Sequence, residues 1–243
     1  MIIVNADDWG RSREETDAAL ECYERGTITS VTAMVFMADS ERAAQIALAK
    51  NIPVGLHLNF SEPFSGVIRD ETLRRKHQRI VGFLTRSKYA HLLYNPFLRS
   101  AFRHAFSAQF DEFVRLYARL PSHFDGHRHM HNCTNMLIDR VIPQGSRVRR
   151  TFSFQPGEKS ALNRSYRRMV DRRLASRYRI IDFFFALSQN LHLDGLRRII
   201  GLATDGKVEL MTHPIAPGEH HMLASNAFQD ALGELTRVSY HAI

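Results

Sequence analysis

Cysteine is scarce in this 243-residue chain: Cys22 and Cys133 are the only two. They are too few and too isolated for a disulfide framework or a cysteine-built zinc cluster, so a reducing compartment, the cytoplasm, is expected. No run of about eighteen apolar residues occurs, which predicts no transmembrane helix. The opening Met-Ile-Ile-Val-Asn-Ala-Asp-Asp has no basic leader and predicts no secretory signal. Acidic residues are outnumbered, 25 against 33 lysines and arginines, giving a formal charge of +8. Much of that excess falls within residues 147–179, where eleven basic side chains face only Glu158 and Asp171. A solvated helix face is the ordinary outcome of such a run. An anionic substrate, an anionic membrane surface or nucleic acid would be the sharper reasons for it.

Apolar content is ample, at 44%, and the length suits one large α/β domain spanning 1–243. The run Ile2-Ile-Val-Asn-Ala6 has the length and character of a buried strand. Ser12-Arg-Glu-Glu15 then has capping-box spacing and predicts a helix over about 13–25, which Gly26 is suited to end. The pattern repeats with a β-rich run at 29–36, a helix over about 40–50 and a strand at 54–60. Residues 61–94 read as polar, basic and irregular. Between about 96 and 120 a long helix carries Phe102, Phe106, Phe110, Phe113 and Tyr117 at three- and four-residue steps, a core stripe. Further strands are expected at 122–125, 148–154, 180–185 and 208–211. Strands alternating with helices predict a parallel sheet, here a distorted β/α barrel of about seven strands rather than an open doubly wound sheet.

On this map Asp7-Asp8, His57, the segment 125–131 and His213 each fall near the C-terminal end of a strand, the active-site face of a β/α barrel. Two adjacent carboxylates ending an apolar strand are costly unless a cation compensates them. A lone histidine such as His57 is more often a satisfied core residue, and His213 before Pro214 could be a turn residue. Four histidines within 123–131 are well above background, however, and neutral imidazole is a common ligand of divalent metals. Asp and His ligands leave open positions for water and a carbonyl oxygen, as hydrolysis needs. The residues alone leave open which of His127, His129 and His131 would touch such an ion.

Five motifs in order carry a resemblance: Asn5-Ala-Asp-Asp-Trp-Gly10, Gly26-Thr-Ile-Thr-Ser30, Gly55-Leu-His-Leu-Asn59, Asp125-Gly-His-Arg-His-Met-His131 and Met211-Thr-His-Pro214. The chain resembles the YdjC-like (ChbG/HpnK) carbohydrate deacetylases over nearly its whole length. The resemblance implies a divalent ion, magnesium or zinc, and hydrolysis of the N-acetyl group of an acetylated amino sugar in an oligosaccharide or glycoconjugate. It makes Asp8, His57 and His127 the metal ligands, Asp7 the base and His213 the acid. Trp9, Asn59, Asp125, His129 and His131 become pocket residues that meet substrate. Trp9 stands where phenylalanine is usual, and the C-terminal pattern of the family survives only as Gly233-Glu-Leu235. The chain stops at Ile243, where a further β segment is expected, so the barrel is expected to be incomplete at its closing edge and to admit a homo-oligomer.

The basic run suggests that the sugar is anionic, phosphorylated or lipid-phosphate-linked, with peripheral membrane contact allowed and nucleic acid not expected. An amidohydrolase or phosphoesterase would keep the metal and change the bond. A basic nucleic-acid or membrane-surface binding protein would leave the Asp and His clusters unexplained.

Overall fold

The computed structural model describes residues 1–154, 157–233 and 235–243. Glu234 of the Gly233-Glu-Leu235 sequence lies outside the described residues. Six strands form one sheet: β1 (Ile2–Trp9), β2 (Ser30–Ala33), β3 (Val54–Leu58), β4 (Phe124–Gly126), β5 (Phe183–Ala186) and β6 (Val208–Thr212). Their order is β4-β3-β2-β1-β6-β5, and every pairing is parallel, so the sheet curls into a half-barrel flanked by helices.

Helix α1 (Arg13–Glu24) starts where the capping signal places it, with the Ser12 hydroxyl accepting from the Glu15 amide. Gly26 follows its end at φ 70°, a left-handed conformation glycine adopts at no steric cost. Helix α2 (Ser40–Ala49) connects β2 to β3, and α4 (Arg99–Tyr117) buries Phe102, Phe106, Phe113 and Tyr117, as their spacing predicts. Two expectations are corrected. The segment 61–94 contains α3 (Glu71–Thr85), capped by Asp70 and burying Leu73, His77, Ile80, Phe83 and Leu84. Its apolar stripe was obscured by interleaved basic residues.

The seventh strand, expected over 148–154, is not a strand. Arg149 N donates to Phe124 O and Ser153 N to Phe184 O, so the segment bonds β4 at one end and β5 at the other. Changing partner within a few residues leaves no ladder, only an isolated bridge between Phe124 and Val148. The edge expected to stand open is thus spanned by this segment. Helices α5 (Thr134–Asp139), α6 (Ala161–Ala175), α7 (Leu193–Asp205), α8 (Pro217–Ala224) and α9 (Asn226–Leu232) complete the described α-helices, and short 3-10 helices, one of them over His127–Asn132, lie between the elements. No helix is long and apolar enough to cross a membrane among the described residues.

Alternation along β1 sorts its side chains: Ile2, Val4 and Ala6 join the large core cluster under the helices, and Ile3 joins a smaller one with Phe184, Met211 and Tyr240. Asn5 and Asp7 follow Ile3 on that inner face. Register places Ser30 beside Asn5, Gly55 beside Thr32 and Asp125 beside His57, which stacks a polar layer at the mouth of an apolar interior. Gly55 has no room for a side chain, because a Cβ there would meet the His123 ring and lie 2.9 Å from the Thr32 methyl. Gly55→Ala is expected to cost about 1–3 kcal/mol in urea denaturation, by overpacking beside His57. A change within error would mean that His123 swings aside freely.

Candidate active site

The two carboxylates that end β1 reach one site because the backbone breaks between them. Asp8 has φ 65°, and the pairing of β1 with β2 shifts register between Ala6 and Trp9. Such a left-handed non-glycine residue is strained, and strain of this kind persists where surrounding contacts fix it. Asp7 stays on the inner face and Asp8 turns to the mouth, while Trp9 packs away from both, with its indole NH donating to Ala43 O.

Asp8 Oδ1 lies 2.9 Å from His127 Nδ1 and 3.3 Å from His57 Nε2. Asp8, His57 and His127 each offer one ligand atom, all within 4.8 Å of one another and all on buried residues. On its other side His57 Nδ1 meets Asp125 Oδ1 at 2.8 Å, which leaves Nε2 directed at Asp8. A carboxylate behind an imidazole is the usual support of a metal-bound histidine, fixing its tautomer and orientation. His127 Nε2 is buried without a hydrogen-bond partner, although Glu62 Oε2 stands 3.2 Å away. Two imidazoles and a carboxylate converging, with a further carboxylate beside them, fit a divalent transition metal by donor chemistry. Burial opposes charging of His57 and His127, yet the Asp125, Asp7 and Asp8 carboxylates around His57, and Asp8 and Glu62 around His127, hold both above the ordinary imidazole value. A cation bound by the same nitrogens competes with those protons, so metal affinity is expected to rise with pH.

Asp7 is held by a residue the sequence did not single out. Arg149, fully buried, donates Nη1 to Asp7 Oδ2 at 2.6 Å and Nη2 to Asp7 Oδ1 at 2.7 Å. The same guanidinium meets Asp125 Oδ2 at 2.7 Å and Glu209 Oε1 at 2.6 Å. Burial alone would raise the Asp7 pKa; the guanidinium overrides it and lowers it, keeping the carboxylate ionised at some loss of basicity. One cation cannot compensate three carboxylates, and the remaining strain falls on Glu209, which burial pushes up to about 6. Tyr240 OH, itself fully buried, donates to Glu209 Oε2. Asn5 and Thr32 add hydrogen bonds to Asp7 Oδ1 at 2.9 and 3.2 Å.

His213 follows β6 and faces the site from the opposite side, with Nε2 4.0 Å from Asp8 Oδ2. Glu219, near the start of α8, accepts from the His213 amide at 2.8 Å and lies 3.7 Å from its Nδ1. Burial disfavours the imidazolium, but Glu219 and the charges of Asp7 and Asp8 outweigh it and raise the pKa. Its side chain is 34% exposed, far more than the other site histidines, so it borders the opening.

The structure brings Asp7, Asp8, His57, His127 and His213 together. His129 and His131 go elsewhere: His131 Nε2 bonds Arg149 O, and the His129 ring packs edge-on against Phe152. Arg128 and His129 both have left-handed φ, which turns the chain away after His127. Asn59 is buried and accepts from the Ser61 and Glu62 amides, shaping the loop that presents Glu62 to His127. Asp125 and Trp9 are likewise fully buried, so Trp9, Asn59, Asp125 and His131 support the site from behind rather than line its opening. Arg149 was indistinguishable in sequence from the solvated arginines around it. Glu62, Glu219 and Thr32 had no motif to mark them.

A family model described as YdjC-like protein matches residues 1–239. A chitooligosaccharide deacetylase of Proteus mirabilis (strain HI4320) is 35% identical over 136 residues, 54% of this chain and 50% of that protein. A carbohydrate deacetylase of Danio rerio is 29% identical over 133 residues, 54% of this chain and 42% of its own length. The chain thus spans about half the length of the curated relatives it matches. In fold it is similar to a crystal structure from Enterococcus faecalis V583, a protein named for cellobiose-phosphate cleavage, with a TM-score of 0.69 at 16% identity, covering 99% of this chain and 97% of that one. With its motifs, its half-barrel and a family match over almost every residue, the chain belongs to the YdjC-like family.

Proposed function

We propose that residues 1–243 act as one deacetylase domain, hydrolysing the N-acetyl group of an acetylated amino sugar with a divalent metal, magnesium or zinc, held by Asp8, His57 and His127. The observation that carries this reading is the convergence of that trio with Asp7 and His213 at the C-terminal ends of parallel strands. The deacetylase names of the two relatives point the same way. A divalent ion in this position supplies Lewis acidity toward the acetamide oxygen and toward a water. Asp7, clamped in its ionised form by Arg149, accepts the proton the water gives up as it adds to the acetamide carbon. His213, kept protonated by Glu219, donates a proton to the amine as the C–N bond breaks. Acetate and the free amino sugar leave, and the residues balance the protons between them.

Acetate release from N-acetylated mono- and oligosaccharides tests this, before chelation, after it, and after return of magnesium or zinc. Chelation is expected to abolish release and metal to restore it. His57→Ala is expected to weaken metal binding by about 100-fold or more, read by titration calorimetry independently of turnover. No acetate from any sugar, with metal binding intact, would redirect the site to another amide or ester.

A further inference from the structure

Each imidazole of the candidate metal trio has a carboxylate at its outer nitrogen and an arginine on that carboxylate. For His57 the chain of contacts is sealed from solvent: Nδ1 meets Asp125 Oδ1 at 2.8 Å, and Asp125 Oδ2 meets Arg149 Nη1 at 2.7 Å. His127 repeats the order with residues from other elements. Its Nδ1 lies 2.9 Å from Asp8 Oδ1, which puts Nε2 on the far edge of the ring, and Glu62 Oε2 stands 3.2 Å from that nitrogen. Arg11 takes both Glu62 oxygens, Nε donating to Oε1 at 2.8 Å and Nη2 to Oε2 at 3.0 Å. The Arg11 amide donates to Asp8 O at 3.1 Å, so a single turn carries Asp8 and the arginine that reaches Glu62. The contacts close a ring from Asp8 through His127, Glu62 and Arg11 back to Asp8.

The loop that carries Glu62 is fixed from behind. The Ser61 and Glu62 amides donate to Asn59 Oδ1 at 3.2 and 3.1 Å. The Asn59 amide donates to Gln109 of α4 at 2.7 Å, and His77 Nε2 of α3 lies 2.9 Å from the Asn59 carbonyl. As a fourth metal ligand Glu62 is disfavoured, because Arg11 already takes both of its oxygens and a second cation there would face the guanidinium. We infer that Glu62 is a positioning residue for His127: held by Arg11, it turns Nδ1 toward the ion, as Asp125, held by Arg149, turns Nε2 of His57 toward it. A carboxylate in this place fixes which ring nitrogen carries the proton and raises the basicity of the other. Arg149 is fully buried whereas the Arg11 side chain is 35% exposed, so only the His127 support borders solvent. The inference rests on the metal-dependent reading of the site and adds residues that touch neither metal nor substrate.

Metal binding tests this without turnover. Calorimetric titration of the full chain with zinc is expected to show affinity about 10–100-fold weaker in Glu62→Ala than in the parent, with a smaller loss in Glu62→Gln, which keeps a neutral acceptor. Melting transitions of both variants check that the fold is kept. Cobalt(II) at saturation is expected to give the same absorption bands in Glu62→Ala as in the parent, because no ligand has gone. Nitrogen-15 shifts of the zinc-loaded chain are expected to show His127 metallated at Nδ1 and protonated at Nε2. Arg11→Ala is expected to weaken zinc binding several-fold and to add nothing once Glu62 is gone. Unchanged zinc affinity in both Glu62 variants, cobalt bands that change as for a lost ligand, or zinc on His127 Nε2 overturns the inference. A parent chain that binds no zinc overturns it together with the zinc-site reading. Zinc binding with the Glu62 dependence intact but no acetate release counts against the deacetylase reading alone.

Discussion

Replacing Arg149 by methionine is expected to destabilise the fold by about 3–5 kcal/mol, the scale of a buried ion pair stripped of one partner. Arg149 is completely buried, and its guanidinium is shared among Asp7, Asp125 and Glu209, which are also buried. Methionine fills much of the volume but leaves three carboxylates in apolar surroundings, which must then ionise at a cost or take up protons. The sign with pH follows. Carboxylates whose folded pKa rises above the unfolded value contribute stability below the unfolded value and lose it as pH rises through the folded one. The deficit of Arg149→Met should therefore shrink as pH falls from neutrality. Glu209, already pushed up to about 6, should show part of this in the parent chain. Urea denaturation across pH measures it, and adding Glu209→Gln should recover part of the loss because one of the three charges is gone. A loss under about 1 kcal/mol at neutral pH would mean the carboxylates are neutralised by something other than this arginine.

The same residue marks where the sequence was legible and where it was not. Strand ends carrying Asp7-Asp8, His57 and His213 could be placed because polar side chains interrupt apolar runs, and that contrast survives in a linear string. The helix α1 signal was equally local, a capping serine and a terminal glycine. Arg149 lies in Arg147-Val-Arg-Arg150, where nothing local distinguishes the one buried guanidinium from exposed ones. Its partners stand 142 and 60 positions away in Asp7 and Glu209, so only the folded half-barrel reveals it. The strand expected over 148–154 that did not form has the same cause: the segment reads as β-rich, but it divides its hydrogen bonds between two strands that sequence cannot show to be near. Within 127–131, composition gave three equivalent histidines. Left-handed backbone at Arg128 and His129 separates them, leaving His127 with Asp8 and sending His131 to the Arg149 carbonyl.

Asp7→Asn is expected to lower kcat by about 10²–10⁴-fold while leaving metal affinity nearly unchanged, the loss typical of removing a general base. The distinction matters because the buried acids offer a second trio, Asp7, His57 and Asp125, whose ligand atoms also lie within 4.8 Å of one another. That trio is the poorer metal site on physical grounds. Arg149 already occupies both oxygens of Asp7 and one of Asp125, and a second cation there would face the guanidinium. Among the described residues no guanidinium bonds the side chains of the Asp8 trio: Asp8 Oδ1 meets the two imidazoles, His213 Nε2 lies 4.0 Å from Asp8 Oδ2, and Arg11 stands one step removed, on the Glu62 carboxylate beside His127. Asp8→Asn should therefore remove metal binding and activity together, whereas Asp7→Asn should separate them. Titration of both variants with zinc and magnesium decides the matter, with kcat measured on whichever acetylated sugar the parent chain hydrolyses. Loss of metal from Asp7→Asn with retention in Asp8→Asn would exchange the roles of the two aspartates and make Arg149 a tether of a ligand instead of a base.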